Sequence, residues 1–352
     1  MRVFTCQTCG QLLYFENVLC VSCGHMLGYL PEWATISALE PLQHEHWSAL
    51  GANGQEYRFC KNRAYGVCNW MVPADSPESF CAACRYNKTI PDLSIADNTE
   101  RWRKLEAAKH RLFYTFFRLR LPMSNRVDDP EHGLAFEFLT DAPDAHGARV
   151  MTGHDNGVIT LAVKEADDAM REQIRAQMGE PYRTLLGHFR HESGHYFWDR
   201  LVRDGGRLQS FRSVFGDEEQ DYGAALRAHY ANPPPVDWQV HFVSAYATAH
   251  PWEDFAETWA HYLHIVDTLE TAQSFGVKVQ PRPWRMTEQT AAVDFDPHNA
   301  ANIEQLIAAW LPLSFAVNSL NRSMGQPDFY PFVLSPAAIE KLGYIHTLVH
   351  GG

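Results

Sequence analysis

The residue pattern predicts an α+β fold: an N-terminal, metal-stapled region of short strands and loops, then a mainly helical domain with a small sheet. Three observations predict it. All eight cysteines fall in the first 84 of 352 residues, helical apolar spacing dominates from Asn98 onward, and a few strand-like runs sit between residues 134 and 163. A hydrophobic share of 45% supports a folded core, and the net charge of −12 argues against a chain that as a whole seeks nucleic acid or an anionic membrane. The N-terminus lacks the apolar stretch of a signal peptide and no run approaches about 18 apolar residues, so the expectation is a cytoplasmic chain without a membrane partner.

Cys6-x-x-Cys9-Gly and Cys20-x-x-Cys23-Gly are two knuckles separated by ten residues. A tight CxxC turn aims two thiolates at one point, and the following glycine permits the positive φ such a turn needs. Four thiolates with no open position suit structural zinc. Cys60, Cys68 and Cys81-x-x-Cys84 form a second set, whose first half is spaced Cx7C. In a reducing compartment zinc fits this usage better than disulfides. Residues 1–95 therefore read as a zinc-ribbon region with two structural zinc ions and little apolar core of its own, folded by the metal. Residues 96–352 form the second domain. Zinc ribbons also bind nucleic acid, but residues 1–100 hold six Lys/Arg against ten Asp/Glu, the wrong balance for phosphate.

The second domain opens with a helix over Asn98–Leu121, its apolar face packed and its basic face solvated, with seven Lys/Arg against one Glu between 101 and 120. Leu134–Leu139 reads as a strand. Arg149–Thr152 and Val158–Val163 flank a hairpin turn over Gly153–Gly157. A charged helix covers Lys164–Met178 and is ended by Gly179; the next starts at Pro181 and runs to about Arg203, stopped by Asp204-Gly205-Gly206. A short helix over Tyr222–Tyr230 precedes the break at Pro233-Pro234-Pro235. Then come a long helix from Pro251 to about Ser274 with an acidic first turn, a helix over Asn302–Ser319, and an irregular aromatic segment, Asp328–Phe332.

The helix from Pro181 carries His191-Glu192-Ser193-Gly194-His195. Positions four apart share a helical face, so both imidazoles can meet one metal ion while Glu192 contacts a water there. A shuffled chain this rich in histidine shows HExxH about once in twenty, so the surroundings must decide. The motif falls inside a predicted helix, and Gly194 leaves room beside the metal. Trp198 and Leu201 stand where a metzincin requires Gly and His, which excludes that class. A third ligand is expected from His250-Pro-Trp-Glu253-Asp254-Phe-Ala-Glu257. Glu253 would ligate and Glu257, one turn on, would accept a hydrogen bond from a ligand imidazole, with Asp254 or Glu257 as alternative ligands. His188, one turn before His191, would close the open position if it also bound. His250, His261 and His264 read as hydrogen-bonded structural residues, His154 as a turn residue that could approach substrate, and Asn318, Arg322 and Tyr330 as pocket candidates without an assigned role.

HESGHYFW, EDFAE and the cysteine knuckles together resemble a bacterial family of zinc-binding metallo-peptidases with a zinc-ribbon domain. The resemblance covers nearly the whole chain, including YRTLLGHFRHESGHYFW, HPWEDFAETWAHY and LNRSMGQPDFYPFVLS. More widely the pattern is similar to the gluzincins, in which HExxH is followed by a helix bearing ExxxD or ExxxE. The similarity implies a zincin-like domain with His191, His195 and Glu253 as ligands of one catalytic zinc, Glu192 as general base and Glu257 behind a ligand. Tyr246, seven residues before Glu253 as in one gluzincin branch, would be the oxyanion donor. Zincin sheets also present an edge strand beside the metal, which makes Val158–Val163 the expected strand for pairing an extended peptide. The implied activity is hydrolysis of peptide bonds in a peptide or protein substrate. The rival is a zinc-ribbon regulatory protein that binds protein or nucleic acid and carries a non-catalytic zincin-like domain.

Overall fold

The computed structural model describes residues 1–141, 150–178, 180, 182–281 and 290–351. The fold is α+β. The chain packs as two compact units, Met1–Phe189 and Arg190–Gly352, and the division falls inside the helix that carries the HExxH motif.

The first unit begins with a two-stranded ribbon, β1 (Phe4–Thr5) and β2 (Leu12–Leu13). An antiparallel meander follows in the order β3 (Met26–Leu30), β4 (Thr35–Pro41), β5 (Trp47–Ala49), β6 (Gln55–Phe59), β7 (Met71–Pro73). The sequence predicts little apolar core here, and the structure corrects that. Leu30, Leu39, Ala49, Ala52, Tyr57 and Met71 form a buried cluster, flanked by Met26, Trp47 and Phe59. Four consecutive residues of β3 and of β4 are buried, so both faces of the meander are covered there rather than one.

A second sheet runs β10–β11–β9–β8, from β8 (Asn87–Thr89), β9 (Ala135–Leu139), β10 (Gly153–Asp155) and β11 (Val158–Ala162). Strands β8 and β9 are parallel, which demands a crossover, and α1 (Asn98–Arg118) lies on it. So α1 is more than a linker with a solvated basic face: Lys109 is fully buried, 2.9 Å from Glu106, on the same helix as the buried Trp102, Leu112 and Phe113. The hairpin turn is narrower than predicted. Only Asn156 and Gly157 form it, both at positive φ, and His154 sits in β10 opposite Ile159. Strand β11 is not an edge, because β10 pairs with one side and β9 with the other. The sequence marked Val158–Val163 as a strand beside a turn but could not see its neighbours.

Lys164 and Glu165 lie in a 3-10 turn, Val163–Ala166, so the charged helix α2 is shorter than predicted, Asp168–Met178. Gly179 and Pro181, the expected stop and start, lie outside the described residues, as does Arg149 of the hairpin. The motif helix α3 covers Leu185–Phe197 and continues as a π-helical segment, Trp198–Arg203. Phe189 packs on Phe136 and Phe138 in the first unit.

The second unit holds α4 (Leu208–Phe215), α5 (Tyr222–Ala231), α6 (Trp238–His241), α7 (Pro251–Ser274), a two-stranded ribbon of β12 (Lys278–Val279) and β13 (Ala291–Ala292), α8 (Ile303–Ser323) and α9 (Pro336–Val349). Helix α7 is its axis: Phe255, Trp259, Tyr262, Leu263, Val266 and Leu269 are fully buried, and α4, α8 and α9 pack around it. The predicted α7 starts and stops where the structure has it. Pro251 occupies the first turn and the His250 side chain accepts from Trp252 N. Helix α9 is absent from the sequence reading, although Ser335-Pro336 marks its start and Ser335 caps it. Helix α8 is long and apolar enough to span a bilayer by length and composition, but half of its most apolar window is buried within the fold.

Candidate metal centre

Both cysteine sets converge. Cys6 and Cys23 Sγ are 3.6 Å apart, as are Cys9 and Cys20. In the second set Cys68 and Cys81 Sγ are 3.8 Å apart, and Cys60 and Cys84 complete the cluster. Tetrahedral zinc with Zn–S bonds of about 2.3 Å separates its sulfurs by about 3.8 Å, whereas a disulfide closes them to about 2.0 Å. All eight cysteines are free thiols at the zinc spacing. Gly10 and Gly24 have positive φ and donate back to Cys6 and Cys20, closing each knuckle turn. The second set is entirely buried, and His110 of α1 sits 3.6 Å from Cys68 and Cys84 Sγ. The thiols of Cys60, Cys68 and Cys81 around it hold Cys84 well below the usual thiol range, which favours a thiolate there.

A different donor set lies in the second unit. His191 Nε2 is 3.0 Å and His195 Nε2 3.5 Å from Glu253 Oε2. Nitrogen and oxygen donors at about 2.05 Å around tetrahedral zinc stand about 3.3 Å apart, so these three fit one ion. Helical spacing on α3 aligns the two imidazoles, and the first turn of α7 supplies the carboxylate. Burial opposes charge on Glu253, but His195 and His191 outweigh it and hold its carboxyl well below the usual range. Burial likewise opposes an imidazolium at His191, and Glu253 and Glu257 override it. Glu192 is buried beside the set, and burial, with the charges of Glu253 and Glu257, raises its carboxyl against the pull of both histidines.

Partners behind the donors orient them. His191 Nδ1 donates to Glu257 Oε1 at 2.7 Å, leaving Nε2 for a metal. Ser244 Oγ donates to Glu257 Oε2 at 2.6 Å and accepts from Ala247 N, so it ties that carboxylate to the 3-10 turn Tyr246–Thr248. The Trp252 ring lies on His195 with centroids 3.8 Å apart. Tyr222 Oη donates to Glu253 Oε1 at 2.5 Å. Ser244, Trp252 and Tyr222 escaped the sequence reading. Trp252 could have been found as the aromatic neighbour of a ligand, while a lone serine or tyrosine hydroxyl leaves no periodic signal.

The Tyr246 ring is 5.8 Å from that of His191, and burial, then the Glu253 charge, pushes its phenol far up, so it is a neutral donor. Among the described residues its hydroxyl makes no hydrogen bond. Asp254, an alternative ligand by sequence, points elsewhere: its Oδ2 pairs with buried Lys341 at 2.6 Å. Gly194 does not open space for the metal. A Cβ there would come within 2.8 Å of Ala256 Cα, so the glycine lets α3 press against α7.

The remaining histidines are structural, as expected, in His250, which caps α7, His261, which meets Tyr330 Oη at 2.7 Å, and His264, which contacts Arg190. His188 faces Glu165 at 3.7 Å. Asn318 holds the Tyr330 backbone through two hydrogen bonds and Arg322 pairs with Asp328, so these two brace the Asp328–Phe332 segment, of which Tyr330 is part.

The family described as "Putative zinc-binding metallo-peptidase" matches residues 98–348, and a zinc-ribbon domain family matches residues 3–95. The chain belongs to this metallo-peptidase family. Relatives of the family member described here include uncharacterized protein Rv2568c of Mycobacterium tuberculosis and uncharacterized protein Mb2598c of Mycobacterium bovis. Each is 42% identical over 350 residues, covering 99% of this chain and 95% of the relative. No solved structure matches. Zinc binding by the chain rests on both family matches and on the two four-cysteine clusters.

Proposed function

We propose that the chain is a zinc-dependent peptidase that hydrolyses peptide bonds with Glu192 as general base. One observation carries the reading: three protein donors, His191, His195 and Glu253, converge at zinc spacing with the carboxyl of Glu192 buried beside them. Three donors with a base alongside is the composition of a catalytic site, whereas a structural site uses four.

His191 Nε2, His195 Nε2 and Glu253 Oε2 would hold the ion. An ion held there would supply Lewis acidity toward a substrate carbonyl and would lower the pKa of water. Glu192 then takes the proton as water attacks and returns it to the leaving amine; burial that raises its carboxyl brings it nearer the working pH of such a relay. Tyr246 donates from Oη to the charge developing on the former carbonyl oxygen. Glu257 keeps His191 in the tautomer whose Nε2 lone pair is available. Two further zinc ions, at Cys6/Cys9/Cys20/Cys23 and Cys60/Cys68/Cys81/Cys84, brace the fold. The eight unpaired thiols support a reducing, cytoplasmic setting, and the substrate is a peptide or protein.

Glu192→Gln tests the reading. Cleavage of an unbiased peptide library should fall by about 10²- to 10⁴-fold while the zinc content stays that of the wild type. A wild-type chain loaded with zinc that cleaves nothing in such a library would sink the proposal.

A second reading has one observation in its favour. Leu12, Tyr14, Val18, Leu19 and Val21, between the two knuckles of the first cysteine set and within the second, are exposed, Val21 by 88%, which suits a zinc ribbon that docks on another protein. The two readings are compatible, since docking by the ribbon leaves the His–His–Glu set untouched.

A further inference from the structure

The two carboxylate oxygens of Glu253 have different neighbours. Oε2 faces the imidazoles of His191 and His195, while Oε1 accepts the hydrogen bond from Tyr222 Oη. Tyr222 is the first residue of α5, a helix in which no residue is buried, so nothing in the packing of α5 itself requires this contact. The phenol ring is nonetheless braced from two sides. Its edge contacts are with Trp252, at 5.6 Å and 80°, and with His250, at 5.3 Å and 84°. Trp252 lies on the ring of His195, and His250 caps the helix that carries Glu253. The hydroxyl is thus aimed at one oxygen of one donor by groups that belong to the same cluster.

A carboxylate can hold zinc through one oxygen or through both. With both it takes the place that an open site keeps for water or substrate. A hydrogen bond donated to the outer oxygen ties up that oxygen's lone pair and holds the carboxylate plane, so one-oxygen ligation becomes the favoured mode. We propose that Tyr222 is a positioning residue that holds Glu253 as a one-oxygen zinc ligand and so keeps a coordination position open. This rests on the reading that His191, His195 and Glu253 bind the ion. It separates the two tyrosines near the set: Tyr222 acts through Glu253, and Tyr246 keeps its hydroxyl for substrate. It also makes α5 part of the metal site, because the rotation of Glu253 is coupled to the position of the helix that Tyr222 begins.

Tyr222→Phe removes the hydroxyl and keeps the ring that packs on Trp252 and His250. The test uses the full chain with zinc left in the cysteine sites and the His–His–Glu site stripped by a mild chelator, then refilled with Zn2+ or Co2+. Tyr222→Phe should bind the refilled ion about 10- to 100-fold more weakly in chelator competition. The Co2+ visible band should also change in intensity and position as the second oxygen of Glu253 enters the place that an open site keeps for water or substrate. Tyr246→Phe should retain both the wild-type affinity and the wild-type band. Wild-type affinity and an unchanged Co2+ band in Tyr222→Phe would overturn the inference while leaving the metal site intact. A wild-type chain that takes up no ion beyond its cysteine sites, with the same metal content in His195→Ala, would overturn the metal reading and this inference together.

Discussion

The cysteine clusters and the His–His–Glu cluster solve opposite problems with the same kind of geometry. Each cysteine cluster brings four sulfurs to one point, which leaves a tetrahedral ion no vacancy. The second unit brings three donors to one point and buries a carboxyl beside them. The difference extends outward. Around the cysteines the nearest partners are backbone N–H groups, such as Trp70 N on Cys68 and Cys81 N on Cys60, which stabilise sulfur charge in place. Around His191 and Glu253 they are side chains, Glu257, Ser244 and Tyr222, which set ring tautomer and carboxylate rotation. On the proposed function, a metal that only folds the chain would need charge compensation, and one that meets a substrate would need ligands that hold still.

The largest expected effect breaks that comparison if it fails. Cys68→Ser removes one sulfur from a fully buried site against which His110 of α1 is set, and structural zinc is worth on the order of 10 kcal/mol to such a region. The variant should lose one zinc and the cooperative thermal transition of the first unit. His195→Ala should also lose one zinc, yet keep its circular dichroism and melt within a few degrees of the wild type. Equal melting losses in the two variants would mean that the His–His–Glu ion is structural too.

Smaller effects probe how the second cluster is held. Gly194→Ala pushes a methyl group to 2.8 Å from Ala256 Cα, a backbone atom that cannot step aside cheaply. Overpacking of this kind costs about 1–3 kcal/mol, so on the proposed function a drop in the denaturant midpoint and weaker zinc uptake by the His–His–Glu set should appear together, because α3 and α7 carry the proposed ligands. Ser244→Ala frees one oxygen of Glu257 while the bond to His191 remains. Its zinc affinity should fall by less than the roughly 10- to 100-fold expected for Glu257→Gln. An equal loss would show that the serine, and not the carboxylate, controls the ring.

How much of this was legible in the sequence follows from how far apart the partners lie. CxxC turns and an i, i+4 histidine pair are local, so spacing alone exposes them, and the α7 start was readable from Pro251 and its acidic first turn. Tyr222 and Glu253 are 31 residues apart, and Lys341 and Asp254 are 87 apart. Neither pairing leaves a trace in composition or period. The lysine mattered, because it takes Asp254 out of contention as a ligand. Strand β11 shows the same limit in a sheet: it was legible as a strand, but whether its edges were taken depended on β9 and β10. Gly194 was noticed for the wrong reason, since only the position of Ala256 explains it. The buried core of the meander was underestimated because three- to seven-residue strands carry too few apolar positions to register singly, although together they enclose Leu30, Leu39 and Tyr57.

The smallest effect separates the two units by pH instead of by metal. His346 of α9 meets Tyr262 Oη at 3.0 Å, and burial, then the neighbouring His350 ring 4.5 Å away, lowers its pKa to about 4, against the opposing pull of Glu304 and the Ala300 backbone. The unfolded chain protonates this imidazole near its ordinary 6.5. Between about 6.5 and about 4 the unfolded state therefore holds the extra proton, and stability drains away as pH falls through that window; below it both states are protonated and the loss stops growing. His346→Gln retains an acceptor for Tyr262 and cannot titrate. With zinc in excess, its denaturant midpoint should fall less than that of the wild type between pH 7 and pH 4.5. Part of the remaining slope belongs to His261, also lowered to about 4 by burial, and to His264, which burial lowers well below the ordinary imidazole range. Parallel pH profiles for variant and wild type would show that the acid sensitivity of the second unit lies elsewhere.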